Sequence, residues 1–155
     1  MIKSIRDLNG NEHEVVIDDD LAWLVPYLVL ARKLGVPIWR VREIKGYYVA
    51  SHKMEQQSAA TLRDVDQPNK KAVITILKKH QVWSIKNGKF EVSRYVEADK
   101  SYFFECTLDS LAHELSHIIF WNHTADRFVL EKKLLYSFSQ LARRRGYHGY
   151  GLRKG

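Results

Sequence analysis

The sequence predicts an α+β fold in a single domain, and three features of the chain support this class. The length of 155 residues is typical of one domain and suffices to bury a core. Predicted strands, with one helix among them, occupy about the first hundred positions, and helices at about 107–122 and 125–145 complete the chain. No linker, repeat or low-complexity tract divides it. We therefore expect a mostly antiparallel sheet packed on these two helices, with residues 1–146 forming the domain and 147–155 a basic tail.

The N-terminal third is predicted to contain a hairpin, a helix and two strands. The hairpin spans residues 2–17 and turns at an Asn-Gly-Asn sequence. Three aspartates then offer an N-cap for a helix over about 18–34, in which Pro26 either introduces a kink or marks the true first turn. Residues 38–44 and 47–52 have the composition of strands joined by a Lys-Gly turn.

The middle of the chain is predicted to be a loop followed by three strands. Residues 55–70 are polar and have no apolar period, so we expect a loop there. Ala72–Leu77 has the composition of a buried strand. Residues 82–85 and 89–96 are predicted to form two further strands around Asn87 and Gly88, the pair that favours a type I′ hairpin turn.

The strongest chemical signal lies at residues 113–123, which read His-Glu-Leu-Ser-His-Ile-Ile-Phe-Trp-Asn-His. On a helix His113 and His117 are one turn apart, so both imidazoles point from one face toward one ion. Zinc in catalytic sites usually takes three protein ligands and leaves a fourth position for water. His123 is the candidate third ligand if the helix ends near residue 122 and the chain folds back. Glu114 would then be the base that takes a proton from the water.

The periodicity of this helix separates a core face from a polar face. Thr107 is the candidate N-cap, because its hydroxyl can accept a hydrogen bond from a free amide of the first turn. The two histidines lie opposite the apolar face, and Glu114 lies at its flank. The residues of the predicted core face are Leu108, Leu111, Ala112, Leu115, Ile118 and Ile119.

Residues 113–123 resemble the active-site helix of small zincin peptidases of the SprT-like, WLM and minigluzincin-type families. Those families combine the motif with a third histidine in a short Asn-His or Gly-His loop before another helix. The resemblance implies a zincin-like domain with one Zn²⁺ per chain on His113, His117 and His123. It also implies peptide-bond hydrolysis by a zinc-bound water that Glu114 activates, on a protein or peptide substrate. The chain departs from these families at position 127, an arginine where an aromatic residue often stands.

Other residues are candidates for supporting roles. Glu131 is a competing third ligand, since zincins of the gluzincin kind use a glutamate from the following helix. We favour His123, because imidazole suits zinc and the loop context fits. Tyr147, His148 and Tyr150 are candidates for an oxyanion donor, or for a terminal segment that covers the metal and keeps the enzyme latent. An extended substrate would add to an edge strand of the sheet, for which residues 47–52 and Ala72–Leu77 are the candidates.

The net charge of +7 lies entirely in the C-terminal segment. From Lys132 onward there are seven basic and no acidic residues, interleaved near the end with tyrosines and glycines. This composition suits contact with nucleic acid, and SprT-like proteases act on proteins attached to DNA. An alternative to the enzyme is therefore a nucleic-acid-binding module with a structural or vestigial metal. A second alternative is an interaction protein, such as a toxin or inhibitor, in which His113 and His117 only pack.

The cysteine count and the apolar runs of the sequence indicate the cellular compartment. The single Cys106 cannot form an internal disulfide, which fits a reducing environment. The N-terminus lacks the apolar region of a signal peptide, and the longest apolar run, residues 21–31, is about half a membrane span. We expect a cytoplasmic protein without membrane association. The sequence does not indicate an oligomeric state.

Overall fold

A computed structural model describes residues 1–7, 9–47, 59–62, 71–77, 79–97, 103–148 and 152–153. The fold is mixed α/β, built around a five-stranded sheet in the order β1-β2-β3-β5-β4. The strands of this sheet are β1 Ile2–Arg6, β2 Glu12–Ile17, β3 Val41–Tyr47, β4 Ala59–Leu62 and β5 Ala72–Leu77.

The N-terminal hairpin and the first helix are confirmed. β1 and β2 pair antiparallel. Asp18 then caps a 3-10 helix, Asp19–Leu24, by accepting a hydrogen bond from the amide of Asp20 at 3.0 Å. Helix α1, Val25–Lys33, follows directly with Pro26 in its first turn, so the proline begins this helix rather than kinking it.

The prediction of a mostly antiparallel sheet is wrong at the centre of the sheet. β2, β3 and β5 run parallel to one another, and only the outer pairs β1-β2 and β4-β5 are antiparallel. Parallel neighbours need a crossover connection, and the segment that contains α1 supplies one between β2 and β3. The predicted Lys-Gly turn is also wrong, because β3 continues through Lys45 and Gly46 in register with β5. Residues 48–52 lie outside the described residues.

One edge of the sheet, the strand β4, lies within the stretch that was predicted to be a loop. β4 occupies residues 59–62 of that stretch and pairs antiparallel with β5. β5 therefore has a neighbour on each side, and so has β3. Neither Ala72–Leu77 nor Val41–Tyr47 is an edge strand, and the edge beside β5 is β4.

A separate hairpin confirms the predicted turn. β6, Lys79–Lys86, and β7, Lys89–Glu97, pair antiparallel. Asn87 and Gly88 have φ values of 53° and 75°. A type I′ turn needs positive φ at both central residues, so this pair of residues explains the position of the turn.

Two helices complete the domain. α2 spans Phe103–Ile119 and α3 spans Ala125–Arg144. The predicted N-cap of α2 is wrong, because the helix begins four residues before Thr107 and that residue is buried. The predicted start of α3 is confirmed, since the side chain of Thr124 accepts a hydrogen bond from the amide of Arg127 at 3.3 Å. After α3, β8 Tyr147–His148 pairs antiparallel with β9 Leu152–Arg153.

One hydrophobic core joins the sheet to all three helices. α2 contacts β4, β5 and α3. The predicted core face of α2 is confirmed at five positions, whereas Ile119, its last residue, is exposed. Within the described ranges no helix is both long and apolar enough to cross a membrane. The histidines of α2 thus stand on a helix whose other face is fixed in the core.

Candidate metal centre

His117 has a defined tautomer. Its Nδ1 atom lies 2.8 Å from the carbonyl oxygen of Trp121 and 3.2 Å from that of Phe120. Carbonyl oxygens only accept hydrogen bonds, so Nδ1 must carry the proton. In the neutral ring this leaves the Nε2 atom with a lone pair. The two residues that follow α2 therefore orient His117 with their backbone.

His113 has the same arrangement with a different acceptor. Its Nδ1 atom lies 2.5 Å from Oε1 of Glu131 on α3. A carboxylate accepts the Nδ1 proton and leaves the lone pair on Nε2. Both histidines of the motif thus have Nδ1 engaged by an acceptor and Nε2 available to bind a cation.

The two Nε2 atoms face each other at 3.1 Å. With both protons on Nδ1 they cannot hydrogen-bond to one another, and their lone pairs repel at this distance. A metal ion between them removes the repulsion. Zinc–nitrogen bonds of about 2.0–2.1 Å at a tetrahedral angle separate two ligand nitrogens by about 3.3–3.4 Å. The observed spacing is close to this value, so the pair is compatible with two ligands of one zinc ion.

His123 joins the pair from the loop between α2 and α3. Its ring centroid lies 5.4 Å from that of His113 and 4.7 Å from that of His117. Ligand atoms of the three histidines lie within 4.8 Å of one another, and this group could hold a metal ion. His123 is the exposed member of this group.

Glu131 lies behind His113 and not among these ligand atoms. It contacts Nδ1, the ring nitrogen that points away from the facing Nε2 pair. The described residues that could hold a metal are the three histidines alone. This placement favours His123 over Glu131 as the third ligand. Glu131 is instead an acceptor for the Nδ1 atom of His113.

Arg127 is a site residue that the sequence did not predict. It is 5% exposed, and its Nη1 atom donates to Oγ of Ser116 at 2.9 Å. The same atom lies 3.4 Å from Oε1 of Glu131 and 3.3 Å from Nδ1 of His113. Ser116 in turn donates to the backbone carbonyl of His113 at 2.5 Å.

A signal for these residues does exist in the sequence. The buried positions of α3 form one stripe with the spacing of a core-facing helix. Its first two members are charged, and they lie one turn apart. A buried charge needs a partner in another element, which indicates a polar site where the stripe begins. The members of the stripe are Arg127, Glu131, Leu134, Phe138 and Ala142.

Glu114 is buried next to His113 in the chain, with 6% of its surface exposed. Burial lowers the pKa of His117 below its ordinary value of 6.5, while the carbonyl of Trp121 and the charge of Glu114 act in the opposite direction. A neutral imidazole is the form that binds zinc. The role of Glu114 as catalytic base stays a prediction.

The residues predicted to assist from the C-terminus are only partly described. Tyr147 and His148 form the strand β8, and the backbone of β8 contacts α3. Tyr150 lies outside the described residues. The oxyanion and latency roles of all three stay predictions.

Comparison with known proteins finds no family model, no curated protein and no solved structure that matches the chain. The assignment of the site therefore depends on its own geometry.

Proposed function

We propose that the chain is a zinc-dependent metallopeptidase. The observation that carries this proposal is the pair of Nε2 atoms that face each other at 3.1 Å while both Nδ1 atoms contact acceptors. Two histidines that served only to pack would not need this arrangement. His123 as the third ligand leaves a fourth position open, as in catalytic rather than structural zinc sites.

The residues would divide the chemistry among them. His113, His117 and His123 would hold the ion. Bound zinc would supply a Lewis acid that polarises a carbonyl and lowers the pKa of a water. Glu114, beside His113 and largely shielded from solvent, would take the proton from the attacking water and pass it to the leaving amine.

A peptide substrate fits the sheet as well as the site. β4 contacts α2, the helix that carries the metal ligands. Among the described residues only β5 pairs with β4, so the other side of β4 offers main-chain donors and acceptors. An extended peptide would add to this edge by main-chain hydrogen bonds and bring a scissile bond toward the histidines. This supports a protein or peptide substrate.

The test is cleavage of an unstructured protein such as casein by the zinc-loaded chain and its Glu114→Gln variant. We expect a loss of about 10²–10⁴-fold in rate with unchanged zinc content, because the variant removes the base and keeps the ligands. Asp109→Asn, an exposed carboxylate on the same helix, is the matched control and should keep full activity. Cleavage that survives Glu114→Gln would mean that Glu114 is not the base.

Exposed side chains of α3 favour a second candidate function, nucleic-acid binding. Lys132, Arg143 and Arg144 are exposed, and Tyr136 is 69% exposed. Lys132 also lies over the exposed ring of Phe128, with its Nζ atom 5.1 Å from the ring centroid. Cations interleaved with accessible aromatic rings suit a phosphate backbone and stacked bases.

Nucleic-acid binding is compatible with two kinds of protein, which are separated by measuring DNA binding and peptidase activity together. One is a peptidase that acts on nucleic-acid-associated proteins, and the other is a binding module whose metal is structural or vestigial. Binding of single-stranded DNA by fluorescence anisotropy should weaken with salt. It should also weaken when the chain is cut after Gly146 or when Arg143 and Arg144 become Gln. Absence of binding by the intact chain at low salt would exclude both. Binding without peptidase activity would favour the module.

A further inference from the structure

We propose that Arg127 and Glu131 are positioning residues that hold His113 in the tautomer and orientation in which it binds the metal. The inference rests on the metal site proposed above. It adds two residues that bind no ion and act through a ligand. It also explains why two charged side chains are buried where α3 meets α2.

The contact of Glu131 with His113 is the first step of the argument. A carboxylate that accepts the Nδ1 proton fixes which ring nitrogen can bind an ion, and it makes that nitrogen a stronger donor. A residue with only a structural role on α3 would not need a carboxylate at 2.5 Å from a ligand ring. Asp126, the acid in the first turn of the same helix, is exposed instead.

The position of Arg127 is the second step. Its Nη1 atom donates to Ser116 Oγ at 2.9 Å and to Glu131 Oε1 at 3.4 Å. It also lies 3.3 Å from His113 Nδ1, which donates its proton to Glu131 and so does not accept from the arginine. Its Nε atom is buried and has no hydrogen-bond partner among the described residues. Such a group costs stability rather than adding to it. The cost is understandable if the guanidinium holds Glu131 against the histidine.

The third step is that the pair is anchored to both helices. Ser116 donates to the backbone carbonyl of His113 and accepts from Arg127. Arg127 and Glu131 are four residues apart on α3 and contact one another. Arg127 is thus anchored to α2 through Ser116, and the ring of His113 is held by α3 through Glu131.

The experiment measures the zinc dissociation constant by competition with a chromophoric chelator, together with the visible spectrum of the cobalt(II) form. The variants are Glu131→Gln, which keeps shape and removes charge, Arg127→Met, and the two combined. Asp126→Asn and Lys133→Met remove one charge of each sign from exposed positions of α3 and are the matched controls. Circular dichroism of the metal-free variants checks that each is folded.

We expect Glu131→Gln to raise the dissociation constant about 10–100-fold and to shift the cobalt bands, with no change in the controls. Arg127→Met should act in the same direction, and the combined variant should match Glu131→Gln within about twofold, because both residues act through one ring. Ser116→Ala is the second variant if Glu131→Gln does not fold. It removes only the hydroxyl that anchors Arg127 and should weaken zinc binding and shift the bands by less.

The outcomes separate this inference from the proposed function. A wild-type chain that binds no zinc would overturn both. A wild-type chain that binds zinc, with folded variants whose affinity and cobalt spectrum are unchanged, would overturn the positioning role and leave the metal site standing. Additive effects of Arg127→Met and Glu131→Gln would also contradict it, because residues that act separately add.

Discussion

Removal of His123 should abolish most of the stabilisation that zinc gives to the fold. A ligand present at 100 times its dissociation constant stabilises the native state by about 2.7 kcal/mol. For a chain of this length each kcal/mol raises Tm by about 2–4 °C, so zinc should raise Tm of the wild type by about 5–11 °C. His123 is exposed, and its replacement by Ala should change the metal-free stability by less than about 0.5 kcal/mol.

The assay is thermal unfolding of His123→Ala and wild type, each with a chelator and with zinc. We expect equal Tm values in the chelator and a zinc-induced rise that is much smaller in the variant. Asn122→Ala is the control, because it changes an exposed neighbour in the same loop and keeps all three histidines. A rise in His123→Ala equal to that of wild type would show that His123 is not a ligand. No rise in any protein would refute the metal site itself.

Three further predictions concern the fold that supports the site. The Nε2 atom of His13 forms a hydrogen bond with Oδ2 of Asp7 at 2.8 Å. This hydrogen bond holds the pKa of Asp7 below its ordinary value of 3.8. A lowered pKa gives stability that is present above 3.8 and is lost as the pH falls through the folded-state value. Asp7→Asn should therefore flatten the fall of unfolding free energy in acid titrations, and an unchanged slope would contradict this. Phe138 is fully buried, and its ring centroid lies 5.6 Å from that of Tyr27. The substitution Phe138→Ala should lower the free energy of unfolding by about 3–5 kcal/mol, measured by urea unfolding. Thr124→Ala removes the N-cap of α3 and should cost about 1 kcal/mol in the same assay, whereas no loss would mean that the cap contributes nothing.

Several local features of the fold were predictable because they depend on neighbours in the chain. The Asn87-Gly88 turn and the Thr124 cap each follow from what one or two residues permit in their own backbone. The histidine cluster is predictable for the same reason, since His113 and His117 share a helix face through spacing alone. In each case the structure agrees with the sequence.

Pairing between distant strands was less accessible from the sequence. Turn and cap residues do not specify whether distant strands pair parallel or antiparallel, and the centre of the sheet was predicted wrongly. β4 is only four residues long and lies within a polar stretch. Its strand conformation is stabilised by hydrogen bonds to β5, and no apolar periodicity in the sequence predicts it.

The two helices contribute to the site in different ways. α2 presents the Nε2 atoms of two candidate ligands, and its apolar face fixes it in the core. α3 presents an acceptor to the far side of one of those ligands from the first turns of a stripe that continues into the same core. The contact between Glu131 and His113 joins the two helices at this point. The packing of α2 on α3 therefore sets the geometry of the candidate metal site. An arginine at position 127, buried and bonded to both helices, lies where that geometry is controlled.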